Sequence, residues 1–411
     1  MSGHLAHDVR QGVHARKLIQ SYQTWFGEGP ELSLLRMLGL FDRPADEKAL
    51  GVLLKSPAVP GLTESLTDLS PTEWRMILAK LRRAKLLARE DTHNPAQLDT
   101  HPLIREYFGE QLRSQRTEAW KDCNRRLYNH YRTLAPQLPD SFRDMEPLFL
   151  AVICGCNAGL FRQALHEVYI ARIQRGDSCF AANFLGARGA LLSVLVHFFE
   201  HARWGSPVET GAAEQNLTTE DQLFILTQAA KYLAVTLGPA APEMRICCEL
   251  AEPLCHSLNR PLLLYVTLSG HWRFSLHTEK LTATMRIAER VCTLAEEQNN
   301  PALKVGAYHI SAATLYNLGD FQAARKYARS GILICRSGAV SSPVEDFDTA
   351  VVCCLCYDGV LDWHFGELDS CQATMAEAIA LAKEVNDMHG LAFVLCYAAT
   401  LGYFKRNPVS L

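Results

Sequence analysis

The sequence predicts a mostly α chain: a small domain of three helices with a two-stranded wing, then helical hairpins stacked into an α-α superhelical solenoid. Three observations predict it. Apolar residues recur at three- and four-residue spacing along most of the chain. Two short segments, KLLARE (85–90) and QLDT (97–100), bracket the polar turn His93-Asn94-Pro95 and read as strands directly after three helices. Three distant segments, EKLTATMRIAERV (279–291), DFQAARKYARSGI (320–332) and ELDSCQATMAEAI (367–379), open a helix on one shared pattern, the mark of repeated hairpins.

Each element has a local reason. Residues 10–26 place Val13, Leu18, Ile19, Tyr22, Trp25 and Phe26 at helical spacing, and Gly27 with Gly29-Pro30 ends that helix. A second helix runs from Pro30 to about Leu40, and Asp46 caps a third through about Lys55. Ser70 and Glu73 make a capping box for a helix over 71–84, which carries Trp74, Ile77, Leu78 and Leu81 inward. With the two strands these outline a winged helix, in which the 71–84 helix stands where regulators read the DNA major groove. His101-Pro102 then opens a helix with Leu103, Ile104, Tyr107, Phe108 and Leu112 on one side. Helices follow over 118–134, 149–157 and 161–173, after a breaker-rich APQLPDSFRD (135–144), and a pair over 180–203.

The expected domains are therefore an N-terminal helix (1–29), a winged-helix domain (30–115), a helical connector (116–205), a linker (206–217) drawn from the segment GSPVETGAAEQN (205–216), and repeats (218–411). In the three repeat segments, Thr278, Gly319 and Gly366 precede the helix, so the offsets are 41 and 47 residues. These exceed the roughly 34 of a minimal tetratricopeptide repeat; the excess falls in loops such as 337–348. Ala283, Ala324 and Cys371 then share one position, and Ile287, Ala328 and Met375 the next turn of the same face. Small residues there let the paired helices approach closely, which makes the solenoid tetratricopeptide-like. The half-repeat helix 390–404 ends it without a polar capping helix, so the repeats are expected to be incomplete at the C-terminus.

Composition narrows the function. With 48% hydrophobic and 21% charged residues the chain is globular, and its formal net charge of −3 gives no overall attraction to nucleic acid or membrane. No stretch reaches the roughly 20 apolar residues of a membrane span, and the first residues lack a signal-peptide core; a cytoplasmic protein is expected. The fourteen cysteines are scattered. Cys353/Cys356 and Cys154/Cys156 have no second pair at zinc spacing, so reduced, buried thiols and no metal are expected. No G-x-x-x-x-G-K-[ST], H-E-x-x-H or G-x-S-x-G is present, which argues against an enzyme and leaves no catalytic residue to name. Trp272 and Trp363 precede repeat turns and read as core. His101 lies at a helix N-terminus, where it serves either as a solvated cap or as an anion contact. Arg75, Lys80, Arg82, Arg83 and Lys85 form a basic cluster for a nucleic-acid or an interdomain contact.

ELSLLRMLGLFDRPAD (31–46), THPLIREYFGEQLR (100–113) and GLFRQALHEVYIARIQRGD (159–177) resemble bacterial STAND-class signalling proteins. There an NB-ARC-type ATPase precedes a winged helix and a tetratricopeptide superhelix. The resemblance implies that the chain begins at the last helix of the ATPase module, and that His101 matches a winged-helix histidine contacting the β-phosphate of ADP. The family's Met-His-Asp triplet reads Thr100-His101-Pro102 here. With no phosphate loop in the chain, ADP or ATP would enter only with an ATPase module supplied in cis or trans, and the chain itself needs no cofactor. The expected role is a non-enzymatic regulatory, protein-binding module, its winged helix packing on a nucleotide-binding domain and its solenoid taking a protein or peptide effector. The alternative is a winged-helix DNA-binding regulator with a tetratricopeptide sensor, DNA being the weaker partner because Glu73 and the near-neutral chain reduce the field.

Overall fold

A computed structural model describes residues 19–208, 210, 216–278, 281–340, 347–385 and 387–404. Residues 10–18 of the first expected helix, much of the 206–217 linker, 341–346 of the long repeat loop and the tail after Phe404 lie outside them. The described residues are mostly helical, with no strand element among them and no helix long and apolar enough to cross a membrane. The chain divides into two compact units, Met1–His201 with Gly211–Leu217, and Ala202–Thr210 with Thr218–Leu411.

In the first unit, α1 (19–26) leads to α2 (Pro30–Leu38) and α3 (Glu47–Leu53), whose Asp46 side chain accepts from the Ala49 N–H at 2.9 Å. The capping box of α4 (Pro71–Arg83) forms in both directions between Ser70 and Glu73. α5 (Pro102–Gln115) crosses α2 where Gly39 meets Gly109 backbone to backbone: a Cβ on Gly109 would lie 2.5 Å from the Gly39 carbonyl oxygen. Around this crossing Leu34, Leu35, Met37, Phe108 and Leu112 are fully buried.

The two expected strands do not form. Leu98 bridges antiparallel to Ala45 through hydrogen bonds of 2.8 and 3.0 Å, and the segments 85–90 and 97–100 share one backbone bond, Ala88 N–H to the Asp99 carbonyl at 2.8 Å. Lys85 takes a left-handed φ of 59°, which breaks the extended run where a strand would begin.

α6 (Thr117–Leu134) and α7 (Phe142–Asn157) pack as a hairpin. α7 starts inside the breaker-rich stretch because Ser141 accepts from the Asp144 N–H at 3.1 Å. The helix expected over 161–173 begins as α8 (Phe161–Gln163) and becomes a π-helix over Ala164–Gln174. Its buried pairs, Ala164/Leu165, Val168/Tyr169 and Arg172/Ile173, recur every four residues, a longer period than the 3.6 of an α-helix. Arg172 there donates to the carbonyls of Arg132 (2.7 Å), Ala135 (3.2 Å), Pro136 (2.9 Å) and Gln137 (3.1 Å), closing the C-terminus of α6. The expected 180–203 pair is shorter than its pattern: α9 (Phe180–Asn183) and α10 (Arg188–Leu195), then single 3₁₀ turns.

The second unit is a stack of hairpins: α11 (Thr219–Thr236), α12 (Pro242–Ser257), α13 (Pro261–Thr278), α14 (Leu281–Glu297), α15 (Pro301–Leu318), α16 (Phe321–Arg336), α17 (Phe347–His364), α18 (Leu368–Glu384) and α19 (Met388–Phe404). Consecutive helices pack together, and each odd-numbered helix also meets the next odd-numbered one; no comparable contact joins the even-numbered helices. That is the α-α solenoid expected from the repeats, with the odd-numbered helices as the closer layer. Gly319 (φ 84°) and Gly366 (φ 77°) end α15 and α17 in the left-handed turn that glycine adopts most readily.

One register differs. Ala324 and Ala328 in α16 and Cys371 and Met375 in α18 are buried as expected, but in α14 the buried positions are Thr284, Ala288 and Val291, one residue beyond Ala283 and Ile287. α13 ends on Thr278, where the sequence pattern aligns with the glycines of the later repeats, and the Thr284 hydroxyl lies 2.9 Å from that of Ser275 on α13.

Candidate functional site

His101 is the N-cap of α5, as its sequence context indicated. It is exposed, and its Nδ1 accepts from the Leu103 N–H at 3.3 Å. The loop beneath is tied down: the buried Thr100 hydroxyl donates to the Leu86 carbonyl, and Asp99 pairs with Arg105 at 3.2 Å. A polar groove of about 580 Å³ separates α1 from α5, but its amides bind one another. Gln23 Oε1 accepts from the Tyr107 hydroxyl at 3.1 Å and from Gln111 Nε2 at 3.0 Å. The buried Arg36 guanidinium completes this clasp with both oxygens of Glu28 (2.6 and 2.9 Å) and with Gln111 Oε1 (2.9 Å). Its hydrogen bonds hold the Glu28 carboxyl below its ordinary range.

The basic cluster divides. Lys80 pairs with Glu31 at 2.6 Å and Arg82 with Glu90 at 2.9 Å. Arg75 donates to its own turn, at the Pro71 carbonyl. Among the described residues, no carboxylate lies within ion-pair distance of Arg75, Arg83 or Lys85.

In the second unit the repeat-signature residues Gly319, Ala324, Ala328, Gly366, Cys371 and Met375 build the scaffold: the glycines turn it and the others are buried at helix contacts. What they position is a seam of rings where successive odd-numbered helices meet. Trp272 on α13 is buried, donates its indole N–H to Thr314 at 2.9 Å, and meets His309 of α15 edge-on at 5.5 Å. His309 faces Tyr357 of α17 at 6.3 Å; Tyr357 in turn lies 5.5 Å from Tyr316 and 5.6 Å from Tyr397 of α19. Phe393 adjoins Tyr397 at 5.0 Å, and the Tyr316 hydroxyl lies 3.3 Å from His364 Nε2. Tyr357 is enclosed, whereas Tyr316, Phe393 and Tyr397 are half-buried and His364 is exposed. Burial raises the pKa of all three phenols and lowers that of His364, so near neutral pH the seam offers neutral rings and phenolic donors.

On α17, Asp362 is fully buried. It accepts from Arg325 at 2.7 Å, from Arg329 at 3.0 Å and from the Ser370 hydroxyl, and Arg329 also binds Asp358 at 2.8 Å. Burial raises the Asp358 carboxyl against the pull of Arg329. This network ties α16, α17 and α18 together. The cysteines are mostly buried, and burial pushes the Cys154 and Cys248 thiols up to about 12. No cluster of metal-ligating side chains occurs among the described residues. Sequence reasoning placed Trp272 in the core, but it missed Tyr316, Tyr357, Tyr397 and the carbonyl-binding Arg172. The period of four over 164–173 was the available signal for Arg172; the seam had none stronger than aromatic residues on successive helices.

No family model matches the chain, and no curated protein matches it. Among solved structures it is similar to a Signal Transduction ATPase with Numerous Domains (STAND) protein with a tetratricopeptide repeat sensor from Pyrococcus horikoshii. The identity is 10% and the TM-score 0.36, over 93% of this chain and 55% of that one. The chain thus spans little more than half the length of that structure, and at this TM-score the likeness does not bear on activity or partners.

Proposed function

We propose that the chain is a non-catalytic regulatory and interaction module whose aromatic seam takes a protein or peptide effector. The observation that carries this is the set of half-buried rings and hydroxyls from α15 and α19, Tyr316, Phe393 and Tyr397, gathered around the enclosed Tyr357 of α17. Flat rings contribute large contact area at small entropic loss, and phenols satisfy peptide groups at the rim. In this reading, the N-terminal helical domain bears on a nucleotide-binding domain in the manner of a STAND-type switch, and ADP or ATP enters only with that partner.

Two experiments test the halves separately. Peptides selected by display against the whole chain should bind Tyr316→Ala and Tyr397→Ala at least about tenfold more weakly, the loss of a modest hot spot; equal binding to both variants rules the seam out. With an ATPase module added in trans, His101→Ala should weaken ADP binding, and unchanged affinity removes the nucleotide part. DNA binding is the weaker reading because Lys80 and Arg82 already have carboxylate partners.

A further inference from the structure

We propose that the outward face of α4, with Trp25 beside it, is a docking surface for a protein bearing an apolar pocket rimmed by carboxylates. Thr72, Met76, Ala79, Lys80 and Arg83 fall on one exposed face of α4 at helical spacing. Met76 is 67% exposed and Trp25 is 65% exposed. α1 is brought to this face by Phe26, over whose ring Lys80 Nζ sits at 5.2 Å, and the Trp25 ring lies 4.8 Å from that of Phe26. Trp25 and Met76 thus stand on two elements joined through Lys80, one helical turn beyond Met76. The α1 clasp does not use them: it runs through Gln23, Glu28 and Arg36.

Charge decides the kind of partner. Arg75 and Arg83 flank the apolar residues and Lys85 follows, all three without a carboxylate in ion-pair range among the described residues. Exposed tryptophan, methionine and arginine are the residue types of interaction hot spots, and the unpaired cations of α4 call for an acidic rim. Glu73 at the start of α4 is also exposed, its carboxylate held by the Ser70 cap. Against a nucleic acid, a protruding methionine on this face offers no hydrogen bond to a base edge. A protein surface with an apolar pocket satisfies both halves of the patch. This surface is separate from the aromatic seam and does not depend on what the seam binds.

The test uses the whole chain and three labelled probes: an amphipathic helical peptide with a leucine stripe flanked by glutamates, the same peptide with lysines for glutamates, and a duplex oligonucleotide. The glutamate peptide should bind, and Trp25→Ala, Met76→Ala and the double variant Arg75→Glu/Arg83→Glu should each weaken it about tenfold or more. All four side chains are at the surface, so circular dichroism should match the parent protein. Tyr316→Ala should leave this binding unchanged, which separates failure here from failure of the effector reading. The proposal is overturned if the glutamate peptide does not bind at about 0.1 mM, if the lysine peptide binds as well, or if the variants have no effect. It is also overturned if the duplex binds instead, with an affinity that falls steeply with salt and is lost in the charge reversal.

Discussion

Replacing Gly109 with alanine probes the crossing of α2 and α5 that places His101. The new Cβ would sit 2.5 Å from the Gly39 carbonyl oxygen, and the reciprocal change at Gly39 would meet the Gly109 nitrogen at 2.4 Å. Both obstacles are backbone, so the helices must part; no rotamer can yield. Adding a methyl to a closed contact costs about 1–3 kcal/mol, the upper half of that range applying where nothing flexible lines the gap. Alanine returns about 1 kcal/mol through helix propensity, for a net loss of about 1–2 kcal/mol. Gly51 is the control. It lies inside α3, is exposed, and an added Cβ meets nothing within 4 Å, so Gly51→Ala should gain roughly 0.5–1 kcal/mol. Both changes add the same methyl to a helix; the difference of roughly 2–3 kcal/mol isolates the crossing. Urea midpoints followed by circular dichroism measure it, and a Gly109→Ala protein as stable as the parent would refute the reasoning.

Other outcomes follow from the same unit. Arg172→Met keeps the aliphatic stem but strips four carbonyls of their donor; it should cost about 2–4 kcal/mol, with lysine a poor rescue because one ammonium cannot span the fork. A methionine variant within about 0.5 kcal/mol of the parent would sink this account. His197 is held neutral, its pKa lowered from 6.5 to about 4, first by burial and then by Arg113, with Asp42 opposing. The unfolded chain therefore binds this proton first as pH falls. The stability from keeping His197 neutral is complete above about pH 6.5 and is lost progressively toward pH 4, up to roughly 3 kcal/mol in total. His197→Gln should flatten the stability–pH curve across that window, and an unchanged slope would show that other groups set it.

Much of the scaffold was legible because it is local. Ser70 with Glu73, Asp46 before α3, and Gly319 and Gly366 after α15 and α17 are each caps or turns decided within four residues. Less was legible where distant groups compete. Leu98 reads as part of a strand pairing with 85–90, but its backbone bonds go to Ala45, far back in the chain. The α14 register slipped by one because Thr278 offers no glycine to mark the turn. The aromatic seam joins residues some 40 positions apart, such as Tyr357 with Tyr397 and Trp272 with Thr314. Alternation along one helix does not encode such pairs; only the stacking of several hairpins creates them.

The guanidinium that closes α6 also sets an order of events during synthesis. Arg172 serves carbonyls 35 to 40 residues behind it, and Arg175 adds the Pro139 carbonyl and Asp140 to the same loop. As the chain leaves the ribosome, α6 and α7 can pair while the segment between them is still open to water and to proteases. That segment closes only when residues 172–175 have emerged and the π-helical run has wound. A nascent chain halted before Arg172 should therefore be cut within 135–140, and one halted well beyond Arg175 should be protected there.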